Sequence, residues 1–313
     1  MKKLLIGTAV VAAIAGGIGY ANHSLMLDAK AELDKQLAMI NSESGVKIDY
    51  QDVSVNVLEK SFLIEQIKLA APDGSHFADV KSVKVIGYDP QKITDYAEFN
   101  LKELVISDSV KQQLPPGVAD EFINSKINLL SSMKYDESNN HADFKNEIQS
   151  LGVAGFKFDL SLANVKELFD LSVKMNEQYR AQVASGKEQT LEQQFQQQTQ
   201  LMNVIQGVKP ETVSFEIANL GKLELALTQL ASAQQMELVQ LQEMIKQQLS
   251  FSPAPQVLKE GLTTFIDNLG SLNISIAVPD NMSVADFQKP ETLQKLASPE
   301  EMAKFFNLTV AAK

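Results

Sequence analysis

Residues 64–85 read IEQIKLAAPDGSHFADVKSVKV, and this stretch decides how the chain folds. Ile67 and Leu69 alternate with polar residues, Pro72-Asp73-Gly74 is a turn signal, and Val80, Val83 and Val85 carry a second apolar run. Upstream, Val46, Ile48 and Tyr50, then Val53, Val55 and Val57, keep the same period of two, and Phe62-Leu63-Ile64 leads into the turn. Downstream the run stops at Tyr88-Asp89-Pro90, and Leu101 to Ile106 adds another strand. A period of two with one apolar side predicts an antiparallel meander with one buried face.

The pattern recurs further along. Met133 to Asp136, a polar turn at Glu137 to Asn140, and Ala142 to Ile148 make a hairpin. Leu-Gly occurs at 151–152, 220–221 and 269–270, each time before an alternating run. The runs are Phe156, Phe158, Leu160 and Leu162; Leu223, Leu225 and Leu227; and Leu272, Ile274, Ile276 and Val278. They read either as a structural repeat or as three separate strands that each begin after a glycine turn.

Helical spacing separates these strands. Leu168 to Gln206 is Gln-rich, with Leu191, Phe195, Met202 and Ile205 near one face and an interruption expected at Gly186. Ala231 to Leu249 and Val257 to Asn268 are further helices, and Val118 to Leu130 has the pattern of a short one. Pro290-Glu291 and Pro299-Glu300-Glu301 are helix starts, with proline in the first turn and acids beside it. The run Gln193 to Gln200 reads as a solvated helix face covering a sheet.

The N-terminus carries a different signal. Lys2 and Lys3 precede an uncharged, proline-free run from Leu4 to Tyr20, and Asp28 is the first acid. A basic flank followed by acids orients the body to the non-cytoplasmic side of an inner membrane. Seventeen or so apolar residues at about 1.5 Å each approach the roughly 30 Å of a bilayer core, which reads as an uncleaved anchor. Gly19-Tyr20-Ala21 leaves cleavage after Ala21 as the alternative. Ser24 to Asn41 continues as an amphipathic helix, with Met26, Ala29, Leu33, Leu37 and Ile40 on one side.

Composition narrows the chemistry. The chain of 313 residues has no cysteine, hence no disulfides, no lipid-modified cysteine and no thiolate metal site. Its net charge is −11, or −13 once Lys2 and Lys3 are set aside, which argues against binding nucleic acid. His23, His76 and His141 have no histidine three or four positions away and sit where solvated loop residues belong. No G-x-S-x-G, phosphate-binding loop or calcium loop is present. These readings assign no catalytic, cofactor-binding or metal residues.

Two segments carry a family resemblance: GVKIDYQDVSVNV at 45–57 and IEQIKLAAPDGSHFADVKSVKV at 64–85. Together with the lone apolar leader, this rhythm of strand, Pro-Asp-Gly turn and Val-rich strand resembles AsmA-like and YdgA-type exported envelope proteins, and LGSLNISIAVPDNMSVADF at 269–287 resembles a segment recurring in uncharacterised exported proteobacterial proteins. The resemblance implies an envelope role, in lipid transport or outer-membrane homeostasis.

The expected fold class is α+β: an N-terminal membrane segment, then antiparallel β meanders covered by helices. Residues 1–21 form a signal anchor or signal peptide, 22–44 a juxtamembrane helix, 45–165 a β-rich region, and 166–313 an α+β region with the Gln-rich helices. The expected function is non-enzymatic: a membrane-tethered periplasmic protein that binds lipid or maintains the envelope. The alternative is an interaction or scaffolding module acting through the Gln-rich helices. Partners would be the inner membrane through residues 4–20, and either lipid acyl chains or another envelope protein. The strand faces would line an acyl groove or, as composition favours, close into a core.

Overall fold

The computed structural model describes residues 46–313 except 57, 88–91, 115–116 and 186–189, together with positions 30, 33, 34, 37, 38 and 41. The leader and most of the juxtamembrane segment, His23 and Gly186 included, lie outside the described residues. Among the described residues no helix is long and apolar enough to cross a membrane.

Among the described residues the fold is mixed α+β, built on a single antiparallel sheet of eleven strands. The strands are β1 (Lys47–Asp49), β2 (Asp52–Asn56), β3 (Ser61–Ala70), β4 (His76–Ile86), β5 (Tyr96–Ile106), β6 (Ile127–Asp136), β7 (His141–Ser150), β8 (Ala154–Ala163), β9 (Lys209–Asn219), β10 (Ser271–Ala277) and β11 (Thr309–Ala312). From β3 onward each strand pairs with its sequence neighbour, and β1 and β2 share the outer edge of β3. The expected turns set this order. At Ala71–Ser75 the Gly74 N–H donates to the Ala71 carbonyl at 2.8 Å, with Gly74 at φ 82°, where a Cβ would be strained. At the tip of the next predicted hairpin, Asp136 accepts from the Ser138 and Asn139 amides, and β6 pairs with β7 from Asp136↔His141 to Ile127↔Ser150.

Helices fill the longer connections: α1 (Asp108–Lys111), α2 (Asp120–Ile123), α3 (Lys166–Ser185), α4 (Leu191–Ile205), α5 (Leu223–Ala233), α6 (Leu238–Phe251), α7 (Gln256–Asn268), α8 (Pro290–Lys295) and α9 (Pro299–Phe305). Thr190 and Gln193 form a reciprocal capping box that starts α4. Ser298 caps α9 through the Glu301 amide. Strands β8 and β9, on either side of the α3–α4 hairpin, pair along almost their whole length.

Three expectations are corrected. Leu223–Leu227 is helical, not the second of three strands. Its residues also repeat at three and four, with Leu223, Ala226 and Ala231 buried, and Leu, Glu, Ala and Gln are strong helix formers. The strand it was expected to be lies just upstream, in β9. The helix expected over Ala231–Leu249 is two helices, broken at Gln235, whose φ is 60°, and restarted by the capping box of Glu237 and Gln240. Of Val118–Leu130 only Asp120–Ile123 is helical. From Ile127 the chain is claimed by ladders to β5 and β7.

Packing is concentrated at the first strands. Leu33 and Leu37, one turn apart at helical positions, are buried with Val46, Ile48, Phe62, Ile64, Ile67, Leu69, Val80, Val83 and Leu101. Two hydrogen bonds tie that helix to the sheet: Tyr50 Oη donates to Asp34 and the Ile48 amide to Asn41. A second cluster joins Tyr135, Ala142 and Phe169, the Tyr135 and Phe169 rings meeting edge-on at 5.0 Å. A third, smaller one joins Ala119, Val153 and Ala226.

Candidate functional site: an open apolar sheet face

The ladder registers place most of the strands' apolar residues on one face, with Leu63 and Leu130 on the other, in the row of Lys84, Asn100, Glu147 and Lys157. One row across the sheet reads Val55, Phe62, Val85, Phe99, Ser131, Asn146, Phe158, Phe215, Ile274 and Val310. The row beside it reads Ile64, Val83, Leu101, Leu129, Ile148, Phe156, Ile217, Leu272 and Ala312. On the other side Met133, Phe144, Leu160, Val213 and Ile276 continue the pattern. The opposite face carries Lys134, Ser132 and Asn128 on β6, Asp143, Lys145 and Glu147 on β7, and Lys157 and Asp159 on β8.

The apolar face is not covered evenly. The N-terminal helix seals it over β3–β5. At the far edge α7 lies on it so closely that a Cβ on Gly261 would sit 2.1 Å from Val310 Cγ1. Phe169 of α3 closes one end at Tyr135 and Phe144. In between, Ile148 is 49% exposed, Phe156 38% and Phe158 40%, at the centre of the sheet. Large apolar side chains in mid-sheet belong under a covering layer, and a contiguous exposed group of them marks a binding surface. The expected closed core is therefore found at β3–β5 but not at β7–β8.

One polar pair interrupts this floor. Ser131 Oγ donates to Asn146 Oδ1 at 2.8 Å, across β6 and β7. Around the pair stand Phe99 and Phe158 in its own row, and Leu129, Ile148, Met133 and Phe144 in the rows on either side. The sequence reading missed the pair; the signal that could have found it is that 131 and 146, each six positions from the turn Glu137–Asn140, break the apolar alternation of both strands.

Charged groups lie elsewhere. Glu103, at φ 52° where the β5–β6 register shifts, donates its amide to Asn128 Oδ1 at 2.8 Å and receives the ammonium groups of Lys81 and Lys126. Hydrogen bonds from Lys126 and Lys81 hold its carboxyl down at about 2. His76, expected in a turn, begins β4 and contacts Asp79 at 2.9 Å. His141 begins β7 and faces Glu211 at 3.0 Å and Asp143 at 3.8 Å. Among the described residues no group of three or more His, Asp or Glu is placed to hold a metal ion. A cavity of about 490 Å³ at the β2–β3 edge is lined by Ser54, Leu58, Glu59, Leu63 and Lys84, away from the open floor.

A family model described as "Uncharacterized protein" matches residues 147–313, more than half of the chain. That span holds β8 to β11 and the helices from α3 onward. No curated protein matches the chain. The chain belongs to the family of that description, through the half that carries Ile148, Phe156 and Phe158.

Proposed function

We propose that the protein binds the acyl portion of a lipid on its open apolar face and works by binding, not catalysis. The observation that carries this reading is the exposure of Ile148, Phe156 and Phe158 at mid-sheet. Fully burying such a side chain is worth about 1.5–3 kcal/mol. These three are already about half buried, so covering them adds on the order of 3 kcal/mol. That alone falls short of a millimolar complex, so an occupant must also touch the half-buried Leu129, Met133, Phe144, Leu160 and Phe215. An extended hydrocarbon chain lying along the floor meets that requirement.

The leader supplies the setting: Lys2-Lys3, the uncharged run to Tyr20 and the acidic body support a periplasmic protein tethered to the inner membrane, or released by cleavage at Ala21. Nucleic acid is disfavoured by the charge.

The test is photo-crosslinking in the full chain within its own membrane. Benzoylphenylalanine in place of Phe158 is expected to give adducts of lipid mass, and the same group at Lys157, on the opposite face, none. Adducts of protein mass at 158 would replace the lipid with a protein partner.

A second reading is an interaction module, favoured by α4, where Leu191 is 84% and Phe195 70% exposed. Glutamates at Leu191, Phe195 and Met202 would abolish partner pull-down under that reading and leave lipid adducts at 158 unchanged.

A further inference from the structure

We infer that the lipid held on this face is recognised by a neutral carbonyl, the ester or amide link of its acyl chain, which accepts hydrogen bonds from Asn146 Nδ2. The inference rests on the acyl-binding reading above and names the chemistry of its ligand.

Asn146 Oδ1 is occupied by the Ser131 hydroxyl at 2.8 Å. In this orientation the two Nδ2 hydrogens are left to be satisfied. Among the described strand residues, the side chains beside the pair on this face, Phe99, Phe158, Leu129, Ile148, Met133 and Phe144, contain no acceptor stronger than a thioether. Water serves while the face is open. A chain laid over the floor expels that water, and an amide left without an acceptor then opposes binding.

An occupant that fits must therefore bring an acceptor at this point and hydrocarbon on either side of it. A phosphate or carboxylate supplies acceptors, but the surrounding phenyl, leucyl and methionyl groups would strip its water without a compensating cation. An ammonium presents donors to donors. A carbonyl within an acylated chain is neutral, accepts two hydrogen bonds and is flanked by hydrocarbon. Ser131 acts through Asn146 as a positioning residue, its hydroxyl meeting the amide from across the β6–β7 pair.

Two lipids that differ only at this group make the test. The full chain is incorporated into phosphatidylcholine vesicles containing either a diazirine-labelled diacyl phosphatidylcholine or its ether-linked counterpart, which lacks the carbonyls. After photolysis, adducts on residues 144–160 are quantified by mass spectrometry. The ester lipid is expected to exceed the ether lipid by about tenfold, the equivalent of one hydrogen bond of roughly 1.4 kcal/mol. In Asn146→Leu the two yields should become equal through a rise in the ether adduct or a fall in the ester adduct. Equal yields in the unaltered protein would overturn carbonyl recognition and leave acyl binding standing. An ester preference that survives Asn146→Leu would likewise overturn the role of Asn146. No adduct from either lipid would overturn the acyl-binding reading and this inference with it.

Discussion

Phe62 and Phe158 lie in one cross-strand row, on the same face of the same sheet, yet Phe62 is 1% exposed and Phe158 40%. Cutting back Phe62 leaves a cavity, and Phe62→Ala is expected to cost about 3–5 kcal/mol in denaturant unfolding. Phe158→Ala should cost roughly 1 kcal/mol, because solvent already reaches the ring, and should weaken lipid capture instead. Glu103 gives a pH signature. Its carboxyl is depressed from 4.5 to about 2 in the folded chain, so its contribution is complete above the unfolded value and is lost as pH falls through the folded one. The stability gap between the unaltered protein and Glu103→Gln should therefore shrink from pH 5 to pH 2, as acid titration followed by circular dichroism would show. At this scale the sequence was partly legible. The alternation put Phe156 and Phe158 on a strand face, but nothing local distinguishes a covered phenylalanine from an open one, since the cover comes from segments far away in sequence.

Among the elements, the turns were the readable part. Pro72-Asp73-Gly74 and Glu137–Asn140 close hairpins where their residue types predict, and the proline starts of α8 and α9 hold. The Leu-Gly signal opens strands at 154 and 271 but a helix at 223. Leu and Ala at positions 223–231 satisfy both periods, and the helix wins where Leu223, Ala226 and Ala231 find burial together. Strand β9 went unread because Lys209-Pro210-Glu211 opens it with poor strand formers, and its place was fixed by ladders to β8 and β10. Two element-scale tests follow. Gly261→Ala drives a methyl into Val310 and should cost about 1–3 kcal/mol, with Val310→Ala relieving part of that cost in a double-mutant cycle. Thr190→Ala removes the cap of α4 and about 1 kcal/mol, so amide exchange in α4 should quicken roughly fivefold while β8 is unchanged.

At the scale of the molecule, a continuous antiparallel sheet with one apolar side is sealed at both edges by helices and left open between them. Composition favoured a closed core, because composition counts apolar residues without locating the helices that cover them. Helices α4 and α6 are not spent on closing the floor: Phe195 and Met202 of α4, and Val239 and Phe251 of α6, stay exposed, as do Ile148, Phe156 and Phe158. The central claim is that this opening exists for an acyl chain. Native mass spectrometry of the full chain released from detergent micelles tests it most directly, comparing the unaltered protein with the Phe156→Glu, Phe158→Glu variant at matched folded content. Co-purifying lipid on the unaltered protein and its loss from the variant is the predicted result; equal lipid on both, or none on either, would contradict the account.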